Sequence, residues 1–395
     1  MRLYETKIER TGGTARLVGR IQAEGARPEE LHFTVAEEFA GFLDDSADPF
    51  VPALLVPCLD AGEDLRIDPP VSPRLLRQLR LVQDILVSWH AGFQRVAIEA
   101  PPRECPPETR AGGVLALFSG GIDSFYTLLR SVKTPREDDP RATHLLFVKG
   151  LEQPHHLLRG AEESIRRVGD VARETGTTLV VAETNLRDRF TLNYERCYFG
   201  AAMVATVLAM RRGIGRLLLP SSHSYAQLEP LGSHPLLDPL WSTEGLEVVH
   251  HGGEARRTDK TAALVAEWPE SLPRLRVCLE NAGGASNCGR CRKCVRTMVA
   301  LEMLGALGRA GGFPGRLPAD VFELLGEEDD VWLEELQQLG HRTAPGSEAT
   351  RLVDAVRARH RRRLGLRIFL ENTPGLAAAF AAADRLRKAR RSPKA

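Results

Sequence analysis

Apolar and polar positions change rhythm along the chain. Leu31-His32-Phe33-Thr34-Val35 alternates with period two, as a half-buried strand does. Residues 37–43 read as helical, 75–89 carry apolar side chains at helical spacing, and 95–99 read as a strand. Pro101-Pro102 and Pro106-Pro107 punctuate the end of this α+β stretch, which carries no legible motif. From residue 112 the pattern changes. Short apolar runs at 114–118, 143–148, 178–181 and 216–219 read as strands, with a further one at 246–249. Helical patterns at 125–132, 160–174 and 196–211 lie between them. Apolar strands alternating with helices predict an α/β fold, a parallel sheet with helices on both faces. Beyond Cys294 the chain reads as helical, broken at Gly311-Gly312-Phe313-Pro314-Gly315 and resuming at 319–325 and 331–339. Ser347 is placed to cap a helix that begins at Glu348.

These changes of rhythm predict four regions: an N-terminal α+β domain (1–108), a nucleotide-binding α/β domain (109–275), a metal-binding segment (276–310) and a C-terminal helical region (311–395). Composition adds that the chain can bury a substantial core, with 43% hydrophobic and 27% charged residues. Lys plus Arg number 53 against 52 for Asp plus Glu, a net charge of +1, so no global field favours a nucleic-acid partner. The Arg- and Lys-rich end, 385–394, reads as a solvated tail. The run 201–210 is half the length a bilayer needs, and charges interrupt the first ten residues, so neither a membrane span nor a signal peptide is expected. The expected location is the cytoplasm.

The chemistry concentrates in two places. The first is Ser119-Gly120-Gly121-Ile122-Asp123-Ser124, which follows the strand 114–118 and opens a helix. Amides at a helix start lack intrahelical acceptors and the dipole is positive there, so an anion is favoured. Two glycines allow close backbone approach to phosphate oxygens. Ser119 and Ser124 offer hydroxyls, and Asp123 is compatible with phosphate if it holds Mg²⁺. The loop is neither a Walker A sequence nor a dinucleotide fingerprint.

The second place holds four of the seven cysteines: Cys278, Cys288, Cys291 and Cys294, spaced C-x9-C-x2-C-x2-C. Two-residue gaps aim successive sulfurs at one centre, and Gly289 eases the turn. A structural Zn²⁺ is the expectation. An iron–sulfur cluster and a sulfur-carrying cysteine pair are alternatives. Arg290, Arg292, Lys293 and Arg296 stand where they could offset the thiolate charge.

Further candidates are substrate-binding Ser222, His223 and His234, in the loop that leaves the strand 216–219. Lys149 and Gly150 end the second strand of the α/β region and could lie near the adenine, and Cys197 reads as a core residue.

The hexapeptide resembles the S-G-G-x-D-S signature of PP-loop (N-type) ATP pyrophosphatases. That resemblance implies that the loop residues grip ATP and that ATP is cleaved between its α and β phosphates. It implies Lys260, in Arg256-Arg257-Thr258-Asp259-Lys260, as the lysine aimed at the phosphates, making Asp123 and Lys260 the expected catalytic pair. The cysteine cluster after the nucleotide region looks like that of the 7-cyano-7-deazaguanine synthases, where the first gap is usually shorter than nine. The resemblance covers roughly residues 112–300. It implies an ATP-dependent C–N ligase with ATP, Mg²⁺ and Zn²⁺, taking a small acid and then ammonia or an amine. The amine could belong to a protein or natural product. Two other classes stay open: a tRNA thiolation enzyme, and a non-catalytic protein that binds ATP and zinc.

Overall fold

A computed structural model describes residues 1–104, 110–137, 139–151, 161–278, 280, 287–326 and 328–373. Cys105, the run 377–383 and the basic tail 385–394 lie outside them. The chain divides into two compact units: 1–287 with 309–312, and 288–308 with the described residues from 313 onward.

The first unit is an α/β body on one ten-stranded mixed sheet, in which most neighbours run parallel. Its strands are β1 (Arg2–Thr11), β2 (Thr14–Gln22), β3 (Glu29–Ala36), β4 (Leu65–Ile67), β5 (Ile98–Glu99), β6 (Gly113–Leu117), β7 (His144–Lys149), β8 (Thr178–Thr184), β9 (Ile214–Pro220) and β10 (Glu247–His251). Spatially they run β10-β9-β6-β7-β8-β3-β2-β1-β4-β5. β10, β9, β6, β7 and β8 are mutually parallel, and β3 joins β8 antiparallel through Phe33↔Thr184. The N-terminal antiparallel strands therefore extend the parallel sheet.

Helices α1 (Phe50–Ala61), α2 (Pro73–Trp89), α3 (Ile122–Leu128), α4 (Ala161–Thr175), α5 (Leu186–Arg189), α6 (Phe199–Leu208) and α7 (Arg257–Glu267) complete this unit. Two of its elements have no clean periodicity in sequence. α1 is buried at every position from Phe50 to Leu59 and contains Pro57, so no polar face marks it. It packs on α6, where the Tyr198 hydroxyl, just before the helix, donates to the Ala53 carbonyl at 2.6 Å. β1 has Leu3 as its one fully buried residue and is stitched to β2 by ion pairs such as Glu9–Arg16 at 2.7 Å. Charged cross-strand pairs of that kind hide the alternation.

The expected strand at 95–99 shortens to β5, because Val96 and Ala97 give their amides to the side chains of Gln83 and Asp64. The helix expected at 37–43 is a 3₁₀ turn over Glu37–Phe42.

The second unit holds α8 (Arg292–Met303), α9 (Val321–Leu325), α10 (Asp330–Thr343) and α11 (Glu348–Asn372). Val295, Val299, Leu325, Leu333, Leu336 and Val353 form its apolar core. The Ser347 hydroxyl accepts from the Thr350 amide at 3.1 Å, so it caps α11 as expected. No helix among the described residues is long and apolar enough to cross a membrane.

Candidate functional site

The carboxyl ends of β6, β9 and β10 are adjacent because the three strands are parallel neighbours. β6 ends at Leu117 and the chain turns through Phe118, Ser119 and Gly120 into α3. Gly120 has φ +80°, which a side chain would strain, and Gly121 is the N-cap of α3. The helical path continues as a wider turn over Leu129–Lys133. Phe118 meets Phe125 edge-on at 4.9 Å, and Phe125 meets Trp268 at 5.4 Å, which fixes the base of the loop.

Within the hexapeptide the side chains differ in their freedom. The exposed Ser119 accepts from the Gly121 amide at 3.4 Å. The buried Ser124 hydroxyl donates to the Gly121 carbonyl at 3.0 Å, as a first-turn residue does. Ile122 is buried in the core. Asp123 faces α7, where Arg257 pairs with one carboxylate oxygen and Lys260 reaches the other at 3.2 Å. Burial pushes the Asp123 carboxyl up, but Arg257 and Lys260 outweigh it and hold it below the ordinary carboxylate value.

Lys260 is only 1% exposed, which is rare for lysine. Its ammonium also donates to the Ser221 carbonyl, just after β9, at 2.6 Å, and lies 5.7 Å from the Tyr126 ring. The structure thus brings together Asp123 and Lys260, which the sequence singled out, with Arg257 and Ser221, which it did not. Arg257 opens α7 directly after its N-cap Arg256, so it could have been named from the same run.

The two cations already occupy the Asp123 oxygens. The described loop therefore does not offer Mg²⁺ the several open oxygen ligands it prefers. Any Mg²⁺ at this place would have to arrive on a phosphate-bearing ligand.

The other loop candidates separate. Ser222 is exposed and His223 half-buried. His234 is buried, stacks edge-on against Trp89 at 4.8 Å and accepts the Leu236 amide at 3.0 Å on Nδ1. Burial lowers its pKa and keeps it neutral. His250, missed in the sequence, is the last residue but one of β10 and sits within a hydrogen bond of Ser221 and Asp238. The signal was available: parallel pairing sets the last residues of β10 beside those of β9. Burial pushes the Cys197 thiol up to about 11, in keeping with a core residue. Lys149 ends β7 and Gly150 follows with φ +85°. A cavity of about 360 Å³ lined by His32, Glu183, Asn185, Asp188 and Arg189 includes none of the sequence candidates.

The sulfurs of Cys278, Cys288, Cys291 and Cys294 lie within 4.8 Å of one another. Cys288 and Cys294 are 3.8 Å apart, the sulfur–sulfur edge of roughly 3.8 Å that four Zn–S bonds of about 2.3 Å would give. The amides of Arg290 and Cys291 donate to Cys288 Sγ at 3.4 and 3.2 Å, which favours a thiolate there. Gly289 has φ +72°, and a side chain at that place would strike Pro314 at 2.6 Å. The loop that carries Cys278 is held by Asn287, whose Oδ1 accepts from the Val277 and Cys278 amides at 2.8 and 3.2 Å. Four thiols at these separations could bind a zinc ion. Two of the basic residues expected to offset them do other work. Arg290 pairs with Asp320, and Arg296 pairs with Glu328 and stacks on Trp332 at 4.0 Å.

No protein-family model, no curated protein and no solved structure matches this chain, so the residues themselves carry the functional argument.

Proposed function

We propose that this chain is a PP-loop ATP pyrophosphatase that adenylates a carboxylate and passes the acyl group to ammonia or an amine. The observation that carries the reading is the buried Lys260 ammonium bonded to Asp123 of the glycine loop, beside Arg257, at the carboxyl ends of parallel strands. A glycine loop opening a helix suits an anion, and strand carboxyl ends are where open α/β sheets take ligands. Two cations from α7 supply the charge that a triphosphate requires. The expected domain is accordingly of the PP-loop, HUP-like kind.

In this reading ATP enters with its own Mg²⁺. A substrate carboxylate oxygen attacks the α-phosphorus, and the bond between that phosphorus and the bridging oxygen to the β-phosphate breaks. The electron pair leaves with pyrophosphate, whose charge the loop amides and Arg257 receive. Lys260 stabilises the charge that builds on the α-phosphate oxygens, the kind of preorganised electrostatics that commonly contributes most to such a step. Asp123 holds both cations in place before ATP arrives. The nitrogen nucleophile then attacks the carbonyl carbon of the acyl adenylate. AMP departs with its electron pair and the nitrogen loses a proton to solvent.

Cys278, Cys288, Cys291 and Cys294 would hold zinc in a closed, structural site, because four thiolates leave no open position. The resemblance of that cluster points to 7-carboxy-7-deazaguanine as the first acid to try. The test is pyrophosphate and AMP release from ATP with a panel of acids, with and without ammonium. Lys260→Ala should cut the rate by 10²-fold or more. Absence of pyrophosphate with every acid, together with no ATP-induced thermal shift, would sink the proposal.

A further inference from the structure

The Ser221 carbonyl is one of the two acceptors that hold the Lys260 ammonium. What holds Ser221 is a chain of buried polar groups. Its amide donates to the His251 carbonyl at 2.8 Å, and its hydroxyl lies between His250 Nε2 at 2.7 Å and the His223 carbonyl at 2.5 Å. His250 Nδ1 lies 2.7 Å from an Asp238 carboxylate oxygen. Asp238 is 0% exposed, takes the Ser233 hydroxyl at 2.7 Å and the His234 amide at 3.2 Å. A carboxylate only accepts, so Nδ1 carries a proton and the ring orientation is set.

Ser221, His250 and Asp238 have the order of a hydrolytic triad, but Ser221 is 1% exposed. Its hydroxyl is also bonded to the His223 carbonyl, so it does not stand as a free nucleophile. The same linkage has another outlet. Ser221 Oγ and the Ser221 carbonyl belong to one residue just after β9, so the hydroxyl bond to His250 and the amide bond to His251 together restrain the carbonyl. That carbonyl is the shorter of the two Lys260 bonds, 2.6 Å against 3.2 Å to Asp123. An ammonium has three donors, and with two spent on fixed acceptors the third is left for a phosphoryl oxygen.

We propose that Asp238, His250 and Ser221 form a clamp that positions the Lys260 ammonium, with His250 and Asp238 as positioning residues. The inference rests on Lys260 serving the phosphates, yet the clamp itself can be measured without turnover. Buried hydrogen-bond chains are strong when every member is satisfied and fail together when one is removed. Loss of His250 should therefore loosen the Ser221 turn, leaving the His251 and His223 carbonyls to hold it, and make the Lys260 ammonium more accessible.

The decisive experiment is acylation of lysines in the full-length protein by a water-soluble amine reagent, read residue by residue by mass spectrometry. Lys260 should react slowly in the wild type, with the exposed Lys7 as internal reference. His250→Ala, and the gentler Ser221→Ala, should each raise Lys260 labelling tenfold or more while leaving Lys7 unchanged. Free imidazole should restore protection to His250→Ala. Wild-type labelling rates at Lys260 in both variants would overturn the clamp. Should either variant misfold, proton NMR of ¹⁵N-histidine-labelled wild type still decides. A far-downfield His250 Nδ1–H resonance is expected, and its absence would overturn the bond to Asp238. In pyrophosphate release, both variants should lower kcat tenfold or more with KM for ATP within threefold. A wild type that reacts with no acid would defeat the adenylation reading and leave the labelling result to judge the clamp.

Discussion

Asp123→Asn probes the charge balance at the loop while keeping side-chain shape. The wild-type carboxylate faces Lys260, 1% exposed, and Arg257, 14% exposed, and is itself 16% exposed. Removing one partner of a buried ion pair costs about 3–5 kcal/mol, because the other charge stays desolvated. The residual exposure of Asp123 and Arg257 places this site at the lower end, about 3 kcal/mol. At 1.4 kcal/mol per tenfold, that is a shift of roughly 150-fold in the unfolding equilibrium. Urea unfolding followed by tryptophan fluorescence suits the question, since Trp268 packs on Phe125 of α3. Lys260→Met removes the cation and keeps an apolar stem. The double variant should therefore cost at least about 1 kcal/mol less than the sum of the single ones. Additivity within about 0.5 kcal/mol would refute the coupling.

The pH dependence adds a sign test. The folded Asp123 pKa is depressed, so its contribution is fully present above the ordinary carboxylate value of 3.8 and is lost as pH falls through the folded value. The gap between wild type and Asp123→Asn should be flat from about pH 8 to pH 5 and narrow only below about pH 4. A gap that closed between pH 7 and pH 5 would contradict the assigned direction.

Three further outcomes are expected. Gly120→Ala has room for its methyl, with Arg276 Cβ 3.6 Å away, so its cost is the backbone at φ +80°, about 1–2 kcal/mol. It should lower Tm and weaken ATP-induced thermal protection together. Cys291→Ser should reduce bound zinc from about one per chain to a small fraction, since metal binding and folding are coupled at such sites. Elemental analysis of the purified protein reads this directly, and retained zinc would speak against a four-thiolate site. Ser347→Ala should destabilise the start of α11 by about 1 kcal/mol, visible as faster hydrogen exchange at the Thr350 and Arg351 amides.

Local pattern made much of the α/β region legible. β6, β7, β8 and β9 are short apolar runs bounded by turns, and their strand identity needs no knowledge of what lies beside them. The Ser347 cap and the cysteine spacing are equally local, because the partners stand within a few residues or a single loop. α1 and β1 were illegible for opposite reasons. α1 is covered on all sides and so has no period, whereas β1 balances its charges across the strand pair and so has little apolar signal.

Local residue pattern marked the glycine turn after β6 and four cysteines spaced for one centre, while the choice of Asp123 with Lys260 came from the resemblance. Folding alone brought Lys260 onto the Asp123 carboxylate across 137 positions and joined β3 to β8 to continue the sheet. It also decided that His250, on β10, would meet Ser221 after β9 and Asp238 in the loop between them. The physical reason is that spacing along a chain reports periodicity and turn chemistry, while long-range neighbours depend on the strand order into which the whole sheet folds.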